Sequence, residues 1–225
     1  DVKKEEVEQF RETNPAVVNL LPYKPNKVIL SFNEGGDGRL SKVNRAFRAR
    51  SYHEFDIEKG TKKLLMQGRD SMSQFSFNDD GFAWTARGFD RGKDEYVWYG
   101  RTPGEKKWER IHSQHEDSFE TFSIEGIDPE NPDIFFVTAT NGRDKAALWE
   151  FNIRTRQFGE IIYARPDVNV AGVRYHSNKW TEGDTMVAVA YRTDKTHYEY
   201  FDPIEGATYA QLEGVIPHAY EIRIT

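Results

Sequence analysis

Residues 128–152 read DPENPDIFFVTATNGRDKAALWEFN, an acidic loop punctuated by proline, an apolar run, an Asn-Gly pair and a second aromatic run. Asn-Gly between apolar runs is a strong hairpin signal, because both central residues of the favoured turn must reach positive φ. The stretch therefore predicts antiparallel strands over 135–140 and 146–152, joined through Asn141 and Gly142. The chemistry of the protein depends on whether this unit stands alone or repeats.

It repeats. Apolar runs like the first strand begin at Val28 (VILSF), Phe82 (FAWTA), Ile134 (IFFVT) and Met186 (MVAVA), spaced 54, 52 and 52 residues apart. The second strand supplies an independent check: EFDIEKG, WYGRTPG, EFNIRTR and YFDPIEG align on Phe55, Tyr99, Phe151 and Phe201, spaced 44, 52 and 50. A further apolar run returns after each, at Leu64-Leu65, Trp108, Ile161-Ile162 and 209–212. Shorter strands are expected before the later units, at Phe75 to Phe77, 119–124 and 168–175. Three or four short strands recurring about every 50 residues are the signature of β-propeller blades. The fold expected is all-β, a partial propeller of about four blades over 1–225. Its blades are placed at 1–70, 71–117, 118–167 and 168–214, with 215–225 beginning another. The four aligned aromatics are expected in the core, packing sheet on sheet. Parallel α/β folds need helices between strands, and only VKKEEVEQF and SKVNRAF read as helical.

Composition narrows the partners. The chain has 225 residues, 14% of them aromatic, no cysteine and a net charge of -6. Its 31 basic residues are interspersed with 37 acidic ones, which argues against nucleic acid, because phosphate binding needs concentrated Lys and Arg. No stretch approaches the roughly 18 apolar residues of a membrane-spanning helix. Lack of cysteine suits either redox compartment. The start at Asp1 and the alternating YEIRIT at the other end predict a piece of a longer chain, and half a propeller is expected to self-associate through its uncovered blade faces.

The order of these units, the run DPENPDIFFVTATNGRDKAALWEFNIRTRQ and the later YFDPIEG resemble the N-terminal propeller of the prolyl oligopeptidase family of serine peptidases. Bacterial dipeptidyl and acylaminoacyl peptidases are the nearest in type. The similarity runs along the whole chain, but only residues 128–152 are distinctive of that family. The resemblance implies a propeller that caps an α/β-hydrolase domain, C-terminal in the parent protein, and restricts entry to short peptides.

The residues themselves carry no catalytic centre of that class. A hydrolase of this kind needs a nucleophile elbow, G-x-S-x-G, to hold its serine on a strained turn, and none of the 17 glycines opens one. There is no G-x-x-x-x-G-K-[ST], no H-E-x-x-H and no cysteine pair, so no cofactor or metal is expected. His112, His115, Glu116 and Asp117 lie close in HSQHED, but two imidazoles between apolar runs read as a solvated connecting loop. FNDDGF lacks the remaining spacing of a calcium loop, and Asp79-Asp80-Gly81 reads as a turn. The glycine-rich 33–39 reads as a flexible connector, and 90–95 as a hairpin tip.

Arg143 and Asp144 are the candidate substrate-binding residues. They follow the Asn-Gly turn at a blade edge, where an arginine could grip a peptide carbonyl or carboxylate. The alternative is an ion pair that caps the turn. Two functions follow from these readings: the gating portion of a serine peptidase acting on peptide substrates, or a non-enzymatic propeller that binds protein or peptide. A propeller glycosidase would need two carboxylates facing a channel, and no pair stands out.

Overall fold

The structure is a computed structural model and describes residues 14–33, 49–69, 71–176, 185–216 and 221–222. The described residues are nearly all β, with four antiparallel sheets of three or four strands and one helix. This is the make-up of a partial β-propeller. The two helix-like stretches of sequence, the glycine-rich 34–39 and most of YEIRIT lie outside the described residues. The chain divides into two compact units, 1–118 and 119–225.

In the first unit, β1 (Ala16–Asn19), β2 (Lys27–Asn33), β3 (Arg50–Asp56) and β4 (Thr61–Gln67) form one meander. A second meander follows, with β5 (Gln74–Phe77), β6 (Ala83–Asp90), β7 (Glu95–Gly100) and β8 (Glu109–His115). Each strand pairs antiparallel with the next in sequence, so the pairing itself requires no crossover. The core between these sheets gathers Leu21, Ile29 and Tyr52 from one and Phe75, Ala83 and Ala86 from the other. Tyr52 also closes a polar account: its buried hydroxyl donates to Ser73 O (2.9 Å) and accepts from Phe75 N (3.2 Å). Backbone groups at the start of β5 thus find partners without water. Asn19 Nδ2 makes a second tether, to Asn78 O at 3.1 Å.

On the same face of the first sheet as Ile29, its cross-strand neighbour, Glu54 takes Lys27 Nζ at 2.6 Å and Lys24 Nζ at 3.3 Å. The hydrogen bond from Lys27 lowers the Glu54 pKa more than its partial burial raises it.

In the second unit, β9 (Phe122–Ile127), β10 (Ile134–Ala139), β11 (Ala147–Asn152) and β12 (Gln157–Tyr163) form the third meander. Here β10 and β11 pair in unbroken register from Ile134↔Asn152 to Ala139↔Ala147. The alternation expected of a half-exposed strand is missing on β10. Phe135 and Val137 are fully buried on one face, while Thr138 is buried on the other. The fourth sheet has three strands, β13 (Val170–Tyr175), β14 (Met186–Arg192) and β15 (Thr196–Tyr200). Leu148, Val170 and Val189 pack between the two sheets, with Phe136, Ile162 and Val173 around them.

A close approach fixes that packing. Tyr175 donates its hydroxyl hydrogen to Glu125 O at 2.9 Å, which brings the hydroxyl end of its ring against Gly126. A Cβ at position 126 would collide with the hydroxyl oxygen and come within 2.9 Å of Cζ. A register shift between Phe136 and Val137 leaves Glu125 as the extra residue of a bulge on β9. Its carboxyl lies beside the hydroxyls of Thr138 and Ser123, and burial, partly offset by those hydroxyls, raises its pKa.

Two expectations are corrected in this unit. Residues 209–212 are not a strand but lie within the helix α1 (Pro203–Val215). Asp202 caps it, accepting from Ile204 N (2.9 Å) and Glu205 N (2.8 Å), with Pro203 in the first turn. A proline with fixed φ and no N–H suits that place, and the apolar spacing that read as a strand was the inner face of a helical turn. Phe201, expected in the core with its three counterparts, is 42% exposed, whereas Phe151 is buried at 1% and Phe55 and Tyr99 are half-buried. Phe201 falls after β15, in the bend that leads to the cap, so no neighbouring strand covers it.

Gly126→Ala is expected to destabilise the second unit by roughly 1–3 kcal/mol through overpacking. Adding Tyr175→Phe, which removes the colliding oxygen, should restore part of that loss. Denaturant midpoints of the two single variants and the double variant check this, and strict additivity would show that the two residues do not meet. At the first sheet, the lowered Glu54 pKa means stability present above the ordinary glutamate value of 4.5 and lost as pH falls through the folded value. The acid limb of a thermal-melt series should flatten in Glu54→Gln.

Candidate functional site

The sequence candidates meet at one end of the second unit. Strand direction decides this: the N-terminal end of β11 adjoins the C-terminal end of β12, and the N-terminal end of β13 adjoins the β14–β15 turn. Val170 N donates to Ala146 O (2.9 Å) and Ala146 N to Asn169 Oδ1 (2.8 Å). The β10–β11 loop is thereby tied to the connector that enters β13.

The loop begins with the turn that its sequence demanded. Asn141 (φ 44°) and Gly142 (φ 77°) both take positive φ, and Arg143 N closes the turn on Thr140 O at 2.9 Å. This is the geometry of a type I′ turn. Arg143, Asp144 and Lys145 then lead into β11, so the connection is longer than a two-residue hairpin. Glu120, which sequence reading passed over, braces the turn. Its carboxylate accepts from the Thr140 hydroxyl and from Gly142 N at 3.2 Å, while Thr121 N donates to Thr140 Oγ1 at 2.9 Å. A lone glutamate between two blades carries no sequence signal for this role, because its partner lies 20 residues away.

Arg143 and Asp144 are both exposed, and they do not pair with each other. Asp144 instead faces Lys145 Nζ at 3.3 Å. The Arg143 guanidinium makes no ion pair with the described residues. Beside this loop, Arg165 binds Asp167 through two nitrogens (2.9 and 2.8 Å) and lies 4.1 Å over the Tyr191 ring. Hydrogen bonds from Arg165 hold the Asp167 pKa low. Among the described residues the β10–β11 loop therefore presents the Arg143 guanidinium without an ion-pair partner, beside carboxylates that already have partners. Chemically that guanidinium can meet a carboxylate or a carbonyl.

The remaining candidates are placed differently. His112 and His115 lie on β8 rather than in a connecting loop, and an odd spacing along a strand sends them to opposite faces. His112 meets Trp98 with ring centroids 5.3 Å apart, and His115 Nδ1 lies 3.8 Å from Asp117. Among the described residues no group of three His, Cys, Asp or Glu side chains could hold a metal ion. Asp79-Asp80-Gly81 forms a turn, with Gly81 N donating to Asn78 O at 2.9 Å. Asp90 and Glu95 flank a hairpin tip, in which Gly92 N donates to Asp90 Oδ1 at 3.1 Å. Among the described residues no helix is long and apolar enough to cross a membrane.

No family model and no curated protein matches the chain. Among solved structures it is similar to a chain from a structural and mechanistic study of two prolyl endopeptidases. That likeness has 13% identity and a TM-score of 0.49, over 78% of this chain and 25% of that one. It is also similar to the uncharacterized protein lmo1340 of Listeria monocytogenes EGD-e, at 11% identity and a TM-score of 0.44, over 82% of this chain and 65% of that one. The chain thus spans a quarter of the length of the first and just under two thirds of the second. Superposition at this level adds nothing about the site, and the fold rests on the four sheets themselves.

Gly142→Val should cost about 1 kcal/mol or more, by backbone strain alone, since nothing lies within 4 Å of a Cβ there. Gly142→Asn, which tolerates positive φ, should cost less. A chemical-denaturation series ranks the three, and equal midpoints would contradict the turn.

Proposed function

We propose that this chain is the propeller portion of a serine peptidase of the prolyl oligopeptidase family. In this reading it orients short peptides for a separate α/β-hydrolase domain supplied by the parent protein. The observation that carries it is the unit at 128–152. There the sequence resembling that family folds as the β10–β11 pair, and its Asn-Gly turn presents Arg143 at the sheet end. The lack of any G-x-S-x-G agrees with a part that positions substrate and leaves nucleophilic attack to a serine, a histidine base and an oxyanion hole elsewhere.

Arg143 is the group assigned to the peptide. An unpaired guanidinium can bind a carboxylate through two parallel hydrogen bonds, or a carbonyl through one. Asp144, held by Lys145, would keep the arginine from collapsing onto its neighbour and would repel a second acidic group.

The full parent protein should be labelled by an organophosphonate serine probe and cleave short peptides, while this chain alone stays unlabelled. In the parent, Arg143→Ala should raise KM for short peptides by about tenfold, the effect of losing one charge-assisted hydrogen bond, and leave the labelling rate unchanged. A parent that takes no label would sink the peptidase reading. Unchanged KM would remove Arg143 from it.

A further inference from the structure

Helix α1 stands outside the repeat, and its attachment to the fourth sheet is narrow. Tyr209 is its one buried side chain, packed on Tyr198 and Tyr200 with ring centroids 5.9 and 5.3 Å away. The other described attachments are polar and involve histidine twice. Glu213 meets His197 Nδ1 at 3.1 Å and Lys195 Nζ at 3.0 Å, and Glu205 lies 3.5 Å from His176 Nε2. The helix has no basic residue in its last turn, where Glu213 carries the wrong sign for the helix dipole. Lys195 and His197 supply the missing positive charge from the sheet.

The hydrogens at His197 can be counted. Thr193 donates its hydroxyl hydrogen to Asp194 Oδ1 at 2.8 Å, so its oxygen is left to accept from His197 Nε2 at 3.0 Å. Glu213, at the other nitrogen, can only accept while ionised. Burial raises the Glu213 pKa, but Lys195 and His197 more than offset this and hold it below the ordinary value. Every bond in the set is made only when both ring nitrogens carry protons. This count also separates the cluster from a catalytic hydroxyl–imidazole–carboxylate relay, in which the hydroxyl hydrogen would point at the ring.

We propose that His197 is a proton-operated latch that fastens the C-terminal half of α1 to the β14–β15 turn. The groups facing it are Glu213 from the helix, Lys195, Thr193 and Asp194 from the turn, and Tyr191 from β14. The Tyr191 ring stacks on the imidazole at 5.2 Å and 13°, and Arg165, itself paired with Asp167, lies over Tyr191. With the ring charged, the helix is bound by an ion pair and two hydrogen bonds run from the ring. Loss of a proton removes the charge, and Thr193 must then turn its hydrogen from Asp194 to the ring. The protonated form is the one that holds, so the latch opens as rising pH takes the second proton from the ring. At the acid end it lasts until Glu213 itself is protonated.

Amide-exchange protection factors for residues 209–215 test this, measured from pH 5.5 to 8 alongside the NMR titration of the His197 ring in the same protein. Protection should fall about tenfold across the window, the weight of one hydrogen bond to a charged group, with the midpoint of the ring titration. In His197→Gln the pH dependence should vanish, and in His176→Gln it should persist. Flat protection in the native chain, a midpoint that departs from that of the ring, or a pH dependence that survives His197→Gln would each overturn the latch. The midpoint comparison uses the unaltered protein and decides the matter even where a variant fails to fold.

Discussion

A strand that is apolar on both faces cannot stop at one sheet. On β10, Phe135 and Val137 are buried on one face, and Phe136 packs with Leu148 and Val189 on the other. An antiparallel sheet whose second face meets water would show polar residues there. Within each unit one meander stacks on the next and covers an apolar face of it. The remaining features of each unit answer demands that this stacking creates.

The first demand is that backbone groups caught between sheets find partners. Two tyrosines meet it in the same manner, Tyr52 on Ser73 and Phe75, and Tyr175 on Glu125. Each lays an aromatic ring into the gap and aims its hydroxyl at main chain. In the second unit the ring passes so near the neighbouring strand that only glycine fits at 126. The same crowding holds a carboxyl, Glu125, between two sheets and raises its pKa.

The second demand falls on the sheet ends, where polar groups collect because the apolar span is short. At one end of the second unit, Glu120, Asn169 and the Arg165–Asp167 pair brace a loop that leaves Arg143 unpaired. On the fourth sheet α1 follows β15 and is held by Tyr209 and by charges that include histidine. The repeat thus supplies a rigid frame, and the departures from it carry the chemistry that can change.

Much of this was legible in the residues. Periodic apolar runs determined the strands, because burying side chains at period two on a pleated backbone leaves a pattern in any single strand. Asn141-Gly142 determined its turn, since few other pairs reach positive φ twice. Asp202-Pro203 with Glu205 is a helix-start pattern as well as a turn in the repeat, and the capping bonds from Ile204 N and Glu205 N decide for the helix. What only tertiary structure decided are the pairings across long sequence gaps: Glu120 with the 140–142 turn, Tyr175 with Glu125, and His197 between Thr193 and Glu213. Burial could not be read from the repeat either. Phe151 is buried and Phe201 exposed in the same aligned column, because burial depends on which neighbour covers a residue, and a one-dimensional period does not record that neighbour.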